Sequence, residues 1–163
     1  MNRQRLNGYN FMREVLLIMI KKILVAYDSG KKSNKALEIA IEIAKKFGAE
    51  IYIFTSVKMP EIVSSIAGQN MLKDLEEKSY DYFKSELAEV GERIKNEGVQ
   101  FQTIIVHDSP GAAIVSFAEK EKIDMIAMGS RNRGVFEGLL MGLGSVSNYV
   151  IQNASCPVLI TKD

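Results

Sequence analysis

Cysteine and histidine are scarce in this 163-residue sequence, which contains only Cys156 and His107. A single cysteine cannot form an intramolecular disulfide. One cysteine and one histidine also cannot supply the ligand set of a structural zinc site or an iron–sulfur cluster. We therefore expect a cytoplasmic protein without a metal centre.

The sequence also lacks an excess of charge of either sign and lacks long hydrophobic runs. Its 21 basic and 20 acidic side chains leave a net charge of +1, whereas nucleic-acid-binding domains usually carry a basic stripe. The apolar run at residues 15–20 is far shorter than the roughly 20 residues that span a bilayer, and no small-residue cleavage site follows it. Nucleic acids and membranes are therefore not expected partners.

Short apolar runs alternate with amphipathic stretches along the chain, and its length suits a single domain. Runs without polar alternation are typical of strands buried on both faces of a parallel sheet. The predicted strands are residues 23–27, 51–54, 101–106, 125–128 and 158–160.

Helix signals separate these strands. Ser33 is a candidate N-cap of the first helix, and Gly48 is placed to end it in the left-handed conformation. A longer helix precedes Gly98, and its apolar stripe contains Leu72, Leu75, Phe83, Leu87, Val90 and Ile94. Two further helices are predicted at about residues 112–120 and 145–153.

These elements predict an α/β fold, a single-domain open five-stranded parallel sheet of order 3-2-1-4-5 with helices on both faces. The domain is expected to span residues 20–163, with residues 1–19 as an N-terminal extension. In such a sheet a crevice opens at the carboxyl ends of strands 1 and 4, where the strand order reverses. Functional residues are expected directly after those two strands.

Both predicted positions carry suitable residues. Asp28-Ser29-Gly30 follows strand 1, and a glycine-rich segment runs from Gly129 to Ser145 after strand 4. Glycines before a helix N-terminus let backbone N–H groups approach an anion, while a carboxylate suits the hydroxyl groups of a ribose. Together the two segments therefore indicate a nucleotide polyphosphate as the ligand, although residues 28–30 alone would also fit a simple turn.

Several segments resemble the universal stress protein family, in the same order and at similar spacings between residues 20 and 162. The residues that carry the resemblance are 25–28, 109–111, 123–131, 144–147 and 156–159. The resemblance implies a Rossmann-like fold of the adenine nucleotide alpha hydrolase-like type. In one branch of the family it also implies ATP bound at a motif of Gly, two residues, Gly, nine residues, Gly and Ser or Thr.

Carried onto this sequence, the resemblance assigns roles to single residues. Asp28 would face the ribose, Val57 would meet the adenine through its backbone, and Met128 and Gly129 would line the nucleotide. The phosphates would be held by Gly144, Ser145, Val146 and Ser147.

The glycine motif departs from the family pattern. Asn132 replaces the second glycine counted from Gly129, and Gly144 arrives two residues late; counted backward, Gly134 fits but Arg131 replaces the first glycine. Asn tolerates positive φ, and the Arg131 guanidinium can donate hydrogen bonds to phosphate oxygens. ATP or a related adenine nucleotide is therefore favoured. A remodelled loop that excludes the triphosphate remains the alternative.

The sequence therefore predicts a universal stress protein that binds ATP, with or without Mg²⁺, and acts as a regulatory or stress-response dimer. The alternative is a scaffold of the same fold that binds no nucleotide. No catalytic residue is assigned, because His107 and Asp108 are adjacent at the end of strand 3, where neighbouring side chains point to opposite faces, so a structural or turn role is expected for them. No carboxylate pair suits a metal either, so at most slow hydrolysis is expected. The apolar strand 5 lies at the sheet edge, which favours a homodimer, as the family resemblance also does.

Overall fold

A computed structural model describes residues 20–58, 68–130 and 145–162 of the chain. Within these ranges the chain alternates regularly between strands and helices. The elements are β1 (Lys22–Ala26), α1 (Lys31–Phe47), β2 (Glu50–Ser56), α2 (Gln69–Asn96), β3 (Phe101–Val106), α3 (Pro110–Glu121), β4 (Met125–Gly129), α4 (Ser145–Asn153) and β5 (Val158–Thr161).

The strands form one parallel sheet of order β3-β2-β1-β4-β5, which confirms the predicted topology. The central strand β1 is deeply buried, since Ile23, Leu24 and Val25 have no exposed surface. Its last residue, Ala26, pairs with Phe54 on one side and with Met128 on the other. The carboxyl ends of β1, β2 and β4 therefore meet at one edge of the sheet.

Each face of the sheet is covered by two helices. On one face Leu37 and Ala40 of α1 and Ile94 of α2 pack in a core with alternate residues of the strands. On the other face Ile114 of α3 and Val150 of α4 form a second core. The inner strands β1, β2 and β4 are therefore buried on both sides, as their unbroken apolar runs predicted. The edge strand β3 differs, since none of its residues is fully buried and Gln102 and Thr103 are exposed.

The helix ends agree with the sequence signals except at the start of α1. Gly48 and Gly98 adopt positive φ, at 69° and 73°, as expected of residues that end helices. The prediction of Ser33 as N-cap is wrong, because α1 begins at Lys31 with Gly30 as its N-cap. Ser33 instead lies in the first turn, buried, where its hydroxyl donates to Asp28 Oδ1 at 2.7 Å.

Helix α2 is longer than the sheet it covers. At 28 residues it extends about 42 Å, whereas the longest strand, β2, has 7 residues and extends about 23 Å. Gly91 packs against Phe101 at the start of β3, and Tyr80 stacks on His107 just past its end. The N-terminal part of α2, residues 69–79, therefore extends beyond the carboxyl edge of the sheet.

Candidate functional site

The candidate site is the crevice between the carboxyl ends of β1 and β4. The chain leaves β1 toward β2 and leaves β4 toward β5, so the two following connections diverge from this point. Because Ala26 pairs with Met128, Asp28 and Gly129 emerge side by side at the edge. The structure thus brings Asp28 near Gly129, the first residue of the glycine-rich segment, while residues 131–144 of that segment lie outside the described part of the chain.

The turn after β1 is held by the carboxylate of Asp28. Its Oδ1 accepts hydrogen bonds from the Gly30 N–H at 3.0 Å and from the Ser33 hydroxyl at 2.7 Å. A Cβ added at Gly30 would lie only 2.9 Å from the same oxygen, so any larger residue there would push the Asp28 carboxylate aside. Asp28 therefore has the turn-forming role that the simpler interpretation predicted, and this role fixes the direction of its carboxylate.

Ser29, next to Asp28, has the unusual positive φ of 58°. The Asn34 side-chain amide donates to its carbonyl at 3.2 Å, and the Tyr82 hydroxyl from α2 lies 3.3 Å from its Oγ. The hydroxyl of Tyr27 donates in turn to Asn34 Oδ1, and burial raises the pKa of Tyr27 above its usual value. The turn is therefore braced by polar contacts from β1, α1 and α2.

The opposite wall of the crevice begins at Gly129. Thr161, the last residue of β5, donates its hydroxyl to the Lys32 carbonyl at 2.7 Å. Its own carbonyl accepts the N–H of Ser130 at 3.0 Å. Ser130 and Thr161 are both buried, so these bonds join the first turn of α1, the end of β4 and the end of β5 away from solvent.

Val57 lies at the end of β2 and Met128 near the end of β4, as predicted. The contacts of each residue limit which of its groups could meet a ligand. The N–H of Val57 donates to the Val106 carbonyl at 2.9 Å, so its carbonyl is the backbone group left to meet a base. The Met128 side chain is 4 % exposed and packs in the core beneath α3 and α4. Met128 would therefore line a ligand through its backbone.

Some of the residues predicted to bind phosphate lie in the described part of the chain, and the others lie outside it. Helix α4 begins at Ser145, as predicted, with Ser145 exposed, Val146 half-buried and Ser147 buried. An α-helix N-terminus of this kind carries N–H groups suited to anions. The predictions for Arg131, Asn132, Gly134 and Gly144 lie outside the described residues. The ligand roles of the whole set stay predictions.

The sequence analysis missed three residues that shape the crevice: Lys32, Thr161 and Tyr82. Nothing in local sequence joins Thr161 to Lys32, because 129 positions separate them. The length of α2 could have indicated Tyr82, because a helix much longer than the strands must reach past their carboxyl ends. His107 was predicted to be structural, and it stacks on Tyr80 with ring centroids 5.8 Å apart. In residues 20–58, 68–130 and 145–162, no cluster of His, Cys, Asp and Glu suits a metal ion.

The model of the Universal stress protein family matches residues 19–162. Universal stress protein MJ0531 of Methanocaldococcus jannaschii is 35% identical over 144 residues, covering 88% of this chain and 83% of the relative. Universal stress protein YxiE of Bacillus subtilis is 32% identical over 152 residues, covering 88% of this chain and the whole of the relative.

Among solved structures, a universal stress protein in complex with cAMP is similar at a TM-score of 0.66 and 25% identity. The match covers 87% of this chain and 97% of that protein. No helix in the described part of this chain combines the length and the apolar character needed to cross a membrane. The sheet order and these matches agree, and the chain belongs to the universal stress protein family.

Proposed function

We propose that this protein binds ATP or a related adenine nucleotide in the crevice between β1 and β4. The observation that carries the proposal is the pairing of Ala26 with Met128 at the point where the strand order reverses. This pairing sets the fixed carboxylate of Asp28 beside the start of the glycine-rich segment at Gly129. The similar universal stress protein that holds cAMP supports the choice of an adenine nucleotide.

The nucleotide would lie across the carboxyl edge of the sheet. Asp28 would accept hydrogen bonds from the ribose hydroxyls, and the Val57 carbonyl would accept one from the adenine amino group. Ser145 and the N-terminal N–H groups of α4 would bind phosphate oxygens, since the helix dipole favours an anion there. Arg131, Asn132, Gly134 and Gly144 would complete the phosphate site, with Mg²⁺ as an accompanying ion.

The proposal extends to domain organisation and assembly. Residues 20–163 would act as one nucleotide-binding domain in the cytoplasm, with residues 1–19 as an extension. The edge strand β5 carries the half-buried apolar residues Val158, Leu159 and Ile160, so a second copy would pair along it. Nucleotide occupancy would then regulate a stress response through this homodimer.

Ligand-dependent thermal stability tests the nucleotide site. Binding to the folded state at 100 times the dissociation constant adds about 2.7 kcal/mol, so ATP, AMP and cAMP at millimolar concentration should raise the melting temperature. Ser145→Ala should reduce the shift caused by ATP more than the shift caused by adenosine, because only ATP carries phosphates. Ser116→Ala, an equally conservative change at an exposed site on α3, is the matched control.

The scaffold alternative is favoured by one observation, the departure of residues 129–145 from the family's glycine spacing. It predicts no shift of the melting temperature with any adenine nucleotide, with or without Mg²⁺. Mass spectrometry of small molecules released from the purified protein distinguishes the two functions independently, since a nucleotide carried through purification excludes an empty crevice.

A further inference from the structure

The contact between α2 and the turn after β1 extends the proposed site. Tyr82 lies on α2, 53 positions from Ser29, yet its hydroxyl lies 3.3 Å from Ser29 Oγ. Ser29 is the neighbour of Asp28, which the proposed function assigns to the ribose. Through Tyr82, helix α2 thus contacts the turn at the end of the crevice to which the proposed function assigns the sugar.

The conformation of Ser29 needs support from its surroundings. A positive φ is unfavourable for a residue with a Cβ, and Ser29 has a φ of 58°. If Ser29 relaxed to negative φ, the chain direction between Asp28 and Gly30 would change. The Gly30 N–H would then leave Asp28 Oδ1, which it now meets at 3.0 Å. The direction of the Asp28 carboxylate therefore depends on the conformation of Ser29 through this bond, while the Ser33 hydroxyl holds the same oxygen at 2.7 Å from α1.

Tyr82 is suited to supply that support without being needed for the fold. Its side chain is 52% exposed, so it belongs to neither core of the sheet. Its ring meets Phe83 edge to face at 5.2 Å, a contact that a phenylalanine at position 82 would keep. The hydroxyl is therefore the group of Tyr82 that acts on the turn.

We propose that Tyr82 is a positioning residue for ribose recognition: through Ser29 it holds Asp28 where the carboxylate meets the sugar hydroxyls. This assignment rests on the proposed nucleotide function. It implies selectivity for a ribonucleotide over its 2′-deoxy counterpart, because the positioned carboxylate is a partner for the 2′-hydroxyl. Contacts to the base at Val57 and to phosphate at α4 are made by other elements and do not depend on Tyr82.

Calorimetric titration with ATP and with 2′-deoxy-ATP tests the assignment. The unaltered protein should bind ATP more tightly. Tyr82→Phe should weaken ATP binding about fivefold, the effect of losing one hydrogen bond, and leave the affinity for 2′-deoxy-ATP within about twofold. Tyr80→Phe is the matched control, since it removes a hydroxyl from the same helix and keeps the ring that stacks on His107.

A double-mutant cycle tests whether Tyr82 acts on Asp28 through Ser29. Ser29→Ala removes the other partner of the contact, so combining it with Tyr82→Phe should weaken ATP binding no further than Ser29→Ala alone. Equal weakening of both nucleotides by Tyr82→Phe, additive effects in the cycle, or no ribose preference in the unaltered protein would each overturn the positioning role while nucleotide binding stands. No binding of either nucleotide to the unaltered protein would overturn the proposed function and this assignment together.

Discussion

Gly129 lies so close to Lys32 that a Cβ added at position 129 would stand 2.7 Å from the Lys32 Cβ. The same added atom would lie 2.9 Å from the Lys32 carbonyl carbon and from the Ser33 nitrogen. Two of these three contacts are with backbone, so rotating a side chain cannot relieve them. The absence of a side chain at Gly129 therefore lets the first turn of α1 rest on the end of β4.

Replacing Gly129 by alanine should displace the N-terminal turn of α1 and destabilise the fold by about 1–3 kcal/mol, the usual cost of overpacking. Urea unfolding measures the loss. Gly68→Ala is the control, since an added Cβ there meets nothing within 4 Å, and it should cost less because only an N-cap preference is lost. Equal stability of Gly129→Ala and the unaltered protein would contradict the close packing.

Two substitutions of Asp28 separate its structural role from its charge. Asparagine keeps an oxygen that accepts from Gly30 and Ser33, whereas alanine removes the acceptor. Asp28→Ala should therefore lower the free energy of unfolding by about 1–2 kcal/mol, and Asp28→Asn by less than about 0.5 kcal/mol. Chemical denaturation without ligand measures both. Losses of the same size would show that the two hydrogen bonds do not stabilise the turn.

The thiol of Cys156 should react slowly. Burial raises the pKa of Cys156 above its ordinary value, so the thiolate, which is the reactive form, is scarcer at any given pH than in a free cysteine. The alkylation rate with iodoacetamide should be lower in the native protein than in urea near pH 8. It should continue to rise with pH beyond the point where the unfolded chain levels off. Identical pH profiles in both states would show that the fold does not protect this thiol.

The proposed dimer can be tested at the outer backbone of β5. Pro157 O and Thr161 O accept N–H groups from β4, so in a parallel ladder the N–H of Ile160 points to the open edge. Ile160→Pro should remove that outward donor, keep the ladder to β4 and weaken dimerisation at least about tenfold. Ile160→Val, which keeps the donor, should still dimerise. Sedimentation equilibrium measures both, and unchanged dimerisation of the Ile160→Pro variant would exclude pairing through this edge.

Sequence patterns were sufficient for the fold because each signal is local or follows a general rule. The apolar runs mark buried strands, and Gly48 marks the end of α1. The predicted doubly wound order 3-2-1-4-5, with right-handed crossovers, then places the end of β1 beside the end of β4. Even the start of α4 at Ser145 follows from a hydroxyl residue before an apolar periodic stretch.

Contacts between distant parts of the chain could not be predicted in this way. No pairing rule in the sequence joins Thr161 to Lys32 or Tyr82 to Ser29, since each contact depends on how a helix is placed over the sheet. The N-cap of α1 was misplaced for a related reason. Ser33 has the right side chain for a cap, but the Asp28 carboxylate outside the helix engages its hydroxyl within the first turn.

Thr161 links the outermost strand of the sheet to the carboxyl edge at which the candidate site lies. It ends the outermost strand, yet its hydroxyl and carbonyl reach Lys32 and Ser130 on the two sides of the crevice. A second copy that paired along β5 would therefore extend the strand whose last residue bonds to both walls of the candidate site. In such an assembly a shift of β5 at the contact between subunits would be passed through Thr161 to Lys32 and Ser130.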